Sequence, residues 1–330
     1  QRFTVLKSER SLNTDVGMAL TLLGLTDAHQ KAVLEMGMYA RREIAHLCRL
    51  ARPRIGIVTN VGPVHLERLG SIEAIAEAKA ELVDALPDDG VAILNADDER
   101  VWAMRRRTRA VPVGFGLRRG ADVWADDVAG HGLQGISFTL HHGERRMTMR
   151  SPLIGEHNVW TCLAATAAGI VCGLSLEQVS AGLQDQSQAR RLAIVQAANG
   201  AVILDDTYNA SPTSVSASLD ILAGLQGRRI AVLGDMLELG AFEEEGHRLV
   251  GRKVAQRADV LVAVGPRGRF IGQEAAATGM AEAAIHYAAG NTEATAIVRD
   301  VSRAGDVILV KGSRGMKMEE IVHALAARQT

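Results

Sequence analysis

RIGIVTNVGPVHLERLGSIEAIAEAKAELVDALPDDGVAILNADD, residues 54–98, decides the fold. A short apolar run ends in a polar, glycine-containing loop. A helical pattern follows over 71–86, and then a second apolar run ends in Asn95, Ala96, Asp97 and Asp98. Strand, helix and strand in that order imply a parallel sheet with helices on its faces. The helix starts at Ser71, a good N-cap residue. Ile72, Ile75, Ala76, Lys79, Leu82, Val83 and Leu86 then share one face at helical spacing, while Glu73, Glu77, Glu81 and Asp84 take the outer faces. Lys79 is the only inward residue of that set that is not apolar.

An inward lysine has two structural readings: its stem packs on the core while its head reaches water, or it sits in a buried ion pair. It also has a chemical reading. Desolvation lowers an amine's pKa, so a neutral fraction is available to add CO₂. The resulting carbamate is an anion with two oxygen acceptors, in effect a long glutamate, and Mg²⁺ takes oxygen ligands.

Outward from this unit the alternation continues. KAVLEMG (31–37) reads as a further strand and 41–51 as a helix. QGISFTLHHGERRMTMRSPL (134–153) alternates apolar and polar residues around a turn near His142–Gly143, a hairpin signal. Helical patterns rich in Ala and Leu return over 156–186, and DQSQARR (185–191) reads as a linker. Strand–helix alternation then restarts in AVILDDTYNA (201–210), RRIAVLGDMLELG (228–240), VLVAVGPRG (260–268), AIHYAAGN (284–291) and DVILVKGSRG (306–315). The expectation is an α/β chain of two domains. Residues 1–189 carry a mostly parallel sheet with an antiparallel hairpin region, and residues 190–330 a Rossmann-like doubly wound sheet.

The totals exclude some functions. With 330 residues, 47% hydrophobic and 23% charged, the chain is globular. A net charge of −1 supplies no field for nucleic acid or an anionic membrane, and 3% aromatic content leaves few base-stacking platforms. Cys48, Cys162 and Cys172 lack metal-ligand spacing and point to a reducing compartment, the cytoplasm. No apolar run has the length of a membrane span, and no signal-peptide pattern is visible.

Ligands of open α/β sheets bind beyond the carboxyl ends of the strands. Those positions hold Glu35, Asn60, His65, Glu67, Asn95, Asp97 and Asp98 in the first domain. In the second they hold Asp205, Asp206, Tyr208, Asn209, Asp235, Glu238, Lys311, Ser313 and Arg314. Oxygen donors, an imidazole and basic groups suit Mg²⁺ and phosphate. Each also has a plain reading: Glu35 as a strand-end carboxylate, His65 as a turn residue, NADD as an Asx turn. The phosphate-loop pattern G-x-x-x-x-G-K-[ST] does not occur in the chain.

VLEMG, TNVGPVHLERLGSIEAIAEAKAEL, NADD, GEHNV, LDDTYNASPTS, GDMLELG and VKGSRG, in this order and spacing, resemble the Mur ligases over essentially all 330 residues. The likeness is strongest to the branch that adds D-Ala-D-Ala. It implies a cytoplasmic, monomeric, ATP- and Mg²⁺-dependent amide ligase of peptidoglycan synthesis. In that reaction the carboxylate of a UDP-MurNAc-tripeptide attacks the γ-phosphate, and the amine of D-Ala-D-Ala attacks the resulting acyl phosphate. The resemblance further implies a central ATPase-like domain, a C-terminal Rossmann-like domain, and a preceding sugar-binding domain and phosphate loop upstream of residue 1. On that basis the 330 residues alone are expected to be inactive. Carried over by motif, Glu35, His65 and Lys79 are implied as catalytic and Mg²⁺-binding residues, with Lys79 carbamylated. His157, Asn158, Arg191, Asp206, Asn209 and Lys311 are implied at the nucleotide, and Asn13, Tyr208, Ser211, Ser313 and Arg314 at the other substrates. The chain departs from the family pattern at Thr14, Ala19, Thr161 and Arg190, where the family usually has Asn, Pro, Asn and Gly.

Overall fold

The computed structural model describes residues 2–9, 12–63, 66–185 and 192–327. The chain divides into two compact units. One comprises Gln1–Val128, Ser137–Ser151 and Asn158–Gln184; the other comprises Ala129–Ile136, Pro152–His157 and Asp185–Thr330.

The first unit runs β1 (Val5–Lys7), α1 (Asp15–Leu23), β2 (Lys31–Val33), α2 (Glu43–Ala51), β3 (Ile55–Val58), α3 (Leu66–Leu69), α4 (Ile72–Asp84), β4 (Val91–Asn95), α5 (Glu99–Ala103) and β5 (Val111–Gly116). Then come β6 (Val123–Gly130), β7 (Ile136–His142), β8 (Arg145–Ser151), α6 (Val159–Val171) and α7 (Leu176–Leu183). A six-stranded sheet has the order β3-β4-β5-β6-β7-β8. The β3–α4–β4 unit is parallel, with Ile57 opposite Ile93. KAVLEMG contributes only Lys31–Val33, which pairs with β1 in a separate two-stranded sheet.

β5 and β6 had not been legible as strands. They run parallel although only six residues connect them, far fewer than a crossover needs. Their overlap is confined to Phe115 opposite Val123 and Gly116 opposite Trp124, so the chain never has to travel back. The hairpin about His142–Gly143 is β7–β8. Thr139 bonds Asp127, His141 bonds Asp126 and stacks on Trp124, and His142 bonds the Asp122 carbonyl, so β6 and β7 run antiparallel.

α4 begins as the sequence implies, with the Ser71 hydroxyl accepting the Ala74 N–H. Its buried line, however, is Ala74, Ile75, Ala78, Ala80 and Val83, while Ile72, Ala76, Lys79 and Leu82 are half-buried. The helix has neighbours on more than one side, so its small alanines are covered as well. Gly56 on β3 leaves the room that Leu82 and Leu86 fill, since a Cβ there would come within 3.1 Å of Leu82. Glu81, read as an outer-face residue, instead caps α2: its carboxylate accepts the N–H groups of Arg42 and Ala45.

The second unit continues with β9 (Ala193–Gln196), β10 (Val202–Asp205), α8 (Pro212–Ala223), β11 (Arg229–Gly234), α9 (Glu243–Arg257), β12 (Val260–Val264) and α10 (Gly268–Ala277). It ends with β13 (Ile285–Ala288), α11 (Asn291–Val301), β14 (Val307–Lys311) and α12 (Glu319–Leu325). Strand order is β13-β12-β11-β14-β10-β9, all parallel except the edge strand β9, which the sequence pattern had not shown. Ala231 and Leu233 of β11 pack with α8, α9 and α10 on one face; Ile230 and Val232 pack with α11 and α12 on the other. Both faces are covered, which is why the strands read as continuous apolar runs. β14 returns to lie between β10 and β11, bringing the loops after these three strands side by side. Among the described residues no helix is long and apolar enough to cross a membrane.

Candidate functional site

In the first unit the loop after β2 meets the start of α1. Glu35 is exposed and its carboxylate accepts the Asn13 side-chain amide at 3.1 Å, while its own N–H donates to the Ser8 hydroxyl. Gly37 makes this approach possible: its N–H donates to the Asn13 carbonyl, and a Cβ would lie 2.9 Å from the Asn13 side chain. Asn13 also lines a cavity of about 470 Å³ with Tyr39, Arg41, Arg42 and His46. Sequence reasoning had passed over this cavity. Its signal in the sequence is faint, the pair Arg41–Arg42; the structure adds Arg42 at φ 72°, in the left-handed region that non-glycine residues seldom occupy.

Lys79 has no hydrogen-bond or ion-pair partner among the described residues. Desolvation lowers its pKa, and the nearby Asp98 charge opposes that shift. Asp98 is itself committed. One oxygen caps α5 through the Arg100 and Val101 N–H groups, and the other accepts the Val61 N–H at 2.7 Å. Asp97 accepts from Leu117, Arg118 and the Trp160 indole, and Asn95 donates to the Thr59 carbonyl. NADD therefore holds loops together, in keeping with its plain reading. His65 and Arg191 lie outside the described residues. Among the described residues no group of three or more His, Cys, Asp and Glu side chains could hold a metal. An unpartnered amine with a lowered pKa nevertheless fits a carbamate, which would turn a repelling cation into an oxygen ligand. Asn158 immediately precedes α6, and the Thr161 hydroxyl approaches its side chain at 3.5 Å.

In the second unit the loops after β10, β11 and β14 form one connected cluster. Lys311 is 3% exposed and donates to Asp206 at 2.7 Å and to the Asn209 carbonyl at 2.9 Å. Ser218 on α8 donates to the same Asp206 carboxylate. His157 feels the charges of Asp206, Asp220 and Lys311; desolvation lowers its pKa even though the side chain keeps an exposed edge. Tyr208 is exposed, with the Arg314 guanidinium 6.0 Å from its ring centroid, and Arg314 also pairs with Glu319.

Ser211 and Ser313 have structural work of their own. Ser211 caps α8 in a reciprocal capping box with Ser214. Ser313 is buried, its hydroxyl accepting the Leu237 N–H at 2.8 Å. Asp235, at the end of β11, holds the start of α10 through the N–H groups of Arg267 and Gly268. Sequence reasoning missed His247, which is fully buried and holds the loop after β11.

Residues 1–169 match the Mur ligase middle domain, and residues 190–314 match the Mur ligase, glutamate ligase domain. The UDP-N-acetylmuramoyl-tripeptide–D-alanyl-D-alanine ligase of Bacillus subtilis is 36% identical over 331 residues, covering 98% of this chain and 70% of that protein. The enzyme of the same name from Escherichia coli is 36% identical over 327 residues, covering 97% and 70%. A crystal structure of MurF from Acinetobacter baumannii superposes with a TM-score of 0.88 at 30% identity, over 98% of this chain and 71% of that one.

Proposed function

The chain belongs to the Mur ligase family, and we propose that it serves the ligation of D-Ala-D-Ala to UDP-MurNAc-tripeptide in peptidoglycan precursor synthesis, driven by ATP. The observation that carries this reading is the 36% identity to a D-alanyl-D-alanine-adding relative over 98% of the chain. The proposed setting is the cytoplasm and the proposed state a monomer.

The reaction makes an amide in two displacements. A carboxylate oxygen of the tripeptide bonds to the γ-phosphorus as ADP leaves. The dipeptide amine then bonds to the acyl carbon as phosphate leaves, and the amine gives up a proton. Protein catalysis of such steps consists largely of positioning and charge neutralisation. In the first unit, Glu35, His65 and carbamylated Lys79 would hold Mg²⁺, whose chemistry is to offset phosphate charge. Asn13 steers the Glu35 carboxylate through its 3.1 Å bond, and Asn158 stands at the nucleotide.

In the second unit, Lys311 supplies a fixed cation for phosphate, held by Asp206 and the Asn209 carbonyl. Asp206, His157, Asn209 and Arg191 complete the proposed nucleotide contacts. Tyr208, Arg314 and Ser313 offer an aromatic face, a guanidinium and a hydroxyl to the dipeptide and phosphate. Ser211 contributes by fixing the start of α8 behind them.

The test is ADP release by the intact protein given UDP-MurNAc-tripeptide and ATP. Release that depends on D-Ala-D-Ala, with the pentapeptide as product, is the expected result. Turnover with a single amino acid in place of the dipeptide would overturn the assignment to this branch.

A further inference from the structure

His247 lies on α9, outside every motif quoted above, and its side chain is 0% exposed. Both ring nitrogens are used by backbone. Nε2 accepts the Met236 N–H at 2.9 Å, and Nδ1 donates to the Glu243 carbonyl at 2.6 Å. Only one neutral tautomer satisfies both bonds. Met236 belongs to GDMLELG, directly after β11. The next N–H, that of Leu237, donates to the Ser313 hydroxyl, and the Ser313 N–H donates to the Asp235 carbonyl. The loop after β11 and the VKGSRG loop after β14 are thus laced together, with His247 behind the lacing. Leu237 engages one acceptor site of the Ser313 hydroxyl, and among the described residues the donor contact of that hydroxyl, to the Ala210 carbonyl, is long at 3.5 Å. Its proton is therefore available to a ligand oxygen.

We propose that His247 is a positioning residue of the ligase: by accepting the Met236 N–H it fixes the adjoining Leu237 peptide, and Leu237 turns the Ser313 hydroxyl proton toward an anionic oxygen of the substrates. The activity side of this inference rests on the function proposed above; the geometric side does not. The charged groups facing the ring are Asp235 at the end of β11, Glu243 on α9 and Arg267 before α10. Arg267 bonds both carboxylates, so they are occupied and do not compete for the ring. Burial lowers the His247 pKa, which keeps Nε2 free to accept.

The experiment uses the intact protein with His247→Ala, His247→Gln, Ser313→Ala and the His247→Ala/Ser313→Ala double variant. Loss of one acceptor bond is expected to raise the KM for D-Ala-D-Ala or ATP about tenfold in His247→Ala. His247→Gln, whose side-chain oxygen can accept the same N–H, is expected to recover most of that. If His247 works through Ser313, the double variant is no worse than Ser313→Ala alone; effects that multiply overturn the proposal. Amide exchange at Met236 and Leu237 reads the geometry without any turnover. Faster exchange in His247→Ala and near-native protection in His247→Gln are expected, and native protection in His247→Ala overturns it. Should His247→Ala fail to fold, the wild-type ring still decides: nitrogen shifts must show Nδ1 protonated and Nε2 bare at neutral pH, and the opposite tautomer overturns the proposal. A wild type that does not turn over refutes the ligase reading and leaves the exchange result standing.

Discussion

Lys79 in the first unit and Lys311 in the second are both drawn away from water by the surrounding fold, and the two are treated in opposite ways. Lys311 ends β14, is 3% exposed, and meets Asp206 at 2.7 Å and the Asn209 carbonyl at 2.9 Å. Lys79 sits mid-helix on α4, half-buried, with no hydrogen-bond or ion-pair partner among the described residues and a pKa lowered by desolvation. A partnered ammonium is a fixed charge, useful for gripping an anion. An unpartnered amine is reactive, because desolvation favours the form with a lone pair. The contrast matches the fixed charge proposed for Lys311 and the carbamylation proposed for Lys79.

The largest expected effect breaks the Lys79 half of the contrast. Lys79→Ala in the intact enzyme should reduce turnover by about 10³-fold, the scale of losing one group that stabilises developing charge. Short-chain carboxylates should restore part of it, since they replace the carbamate oxygens. Near-normal activity in the variant would remove Lys79 from the site.

Next comes Lys311→Met, which leaves the Asp206 carboxylate without its cation. Removing one partner of a buried pair costs about 3 kcal/mol. The loss should appear in denaturant unfolding as a lower midpoint, and a midpoint within error of wild type would show the pair to be dispensable. Gly37→Ala should have a smaller effect. The added methyl group would meet Asn13 at 2.9 Å and push it from Glu35. An activity loss of about tenfold is expected, in line with one charge-assisted hydrogen bond, with the unfolding midpoint little changed. A fall in stability without one in activity would mean that the Asn13–Glu35 contact is structural only.

How far these features could be read beforehand follows from their physics. The inner strands β4, β11, β12 and β14 were visible because strands covered on both faces read as apolar runs. β3 and β13 were visible as apolar starts of the strand–helix alternation, although Ile57 and Tyr287 on them are exposed. β9 and β1 were not visible: they are short and largely exposed, so burial imposes no pattern on them. The inward position of Lys79 follows from helical period alone, whereas its lack of a partner depends on which carboxylates are already spent, Asp98 on α5 and Glu81 on α2. Ser211 looked like a ligand contact from its motif, yet Ser-Pro-Thr-Ser is also a helix start, and the capping box engages that hydroxyl. His247 was illegible because nothing in a sequence marks which backbone N–H groups a helix will face.

The smallest effect separates the two lysines without any assay of turnover. The folded state lowers the Lys79 pKa below the ordinary lysine value of about 10.4. Between the folded value and 10.4 the unfolded chain therefore holds more protons, so the stability of the first unit rises with pH through that window. The contribution is complete above about 10.4 and is lost as pH falls through the folded pKa. Lys79→Met removes this titration. At neutral pH and with Lys79 unmodified, the variant should be more stable by about 0.5–1 kcal/mol, because a desolvated charge with no hydrogen-bond or ion-pair partner among the described residues is replaced by an apolar side chain of similar length. The difference should shrink toward zero as pH approaches 10. The same change at Lys311 has the opposite sign, since there the charge has a partner to lose. Two methionine substitutions with opposite signs in one unfolding experiment are what the contrast requires, and equal signs would refute it.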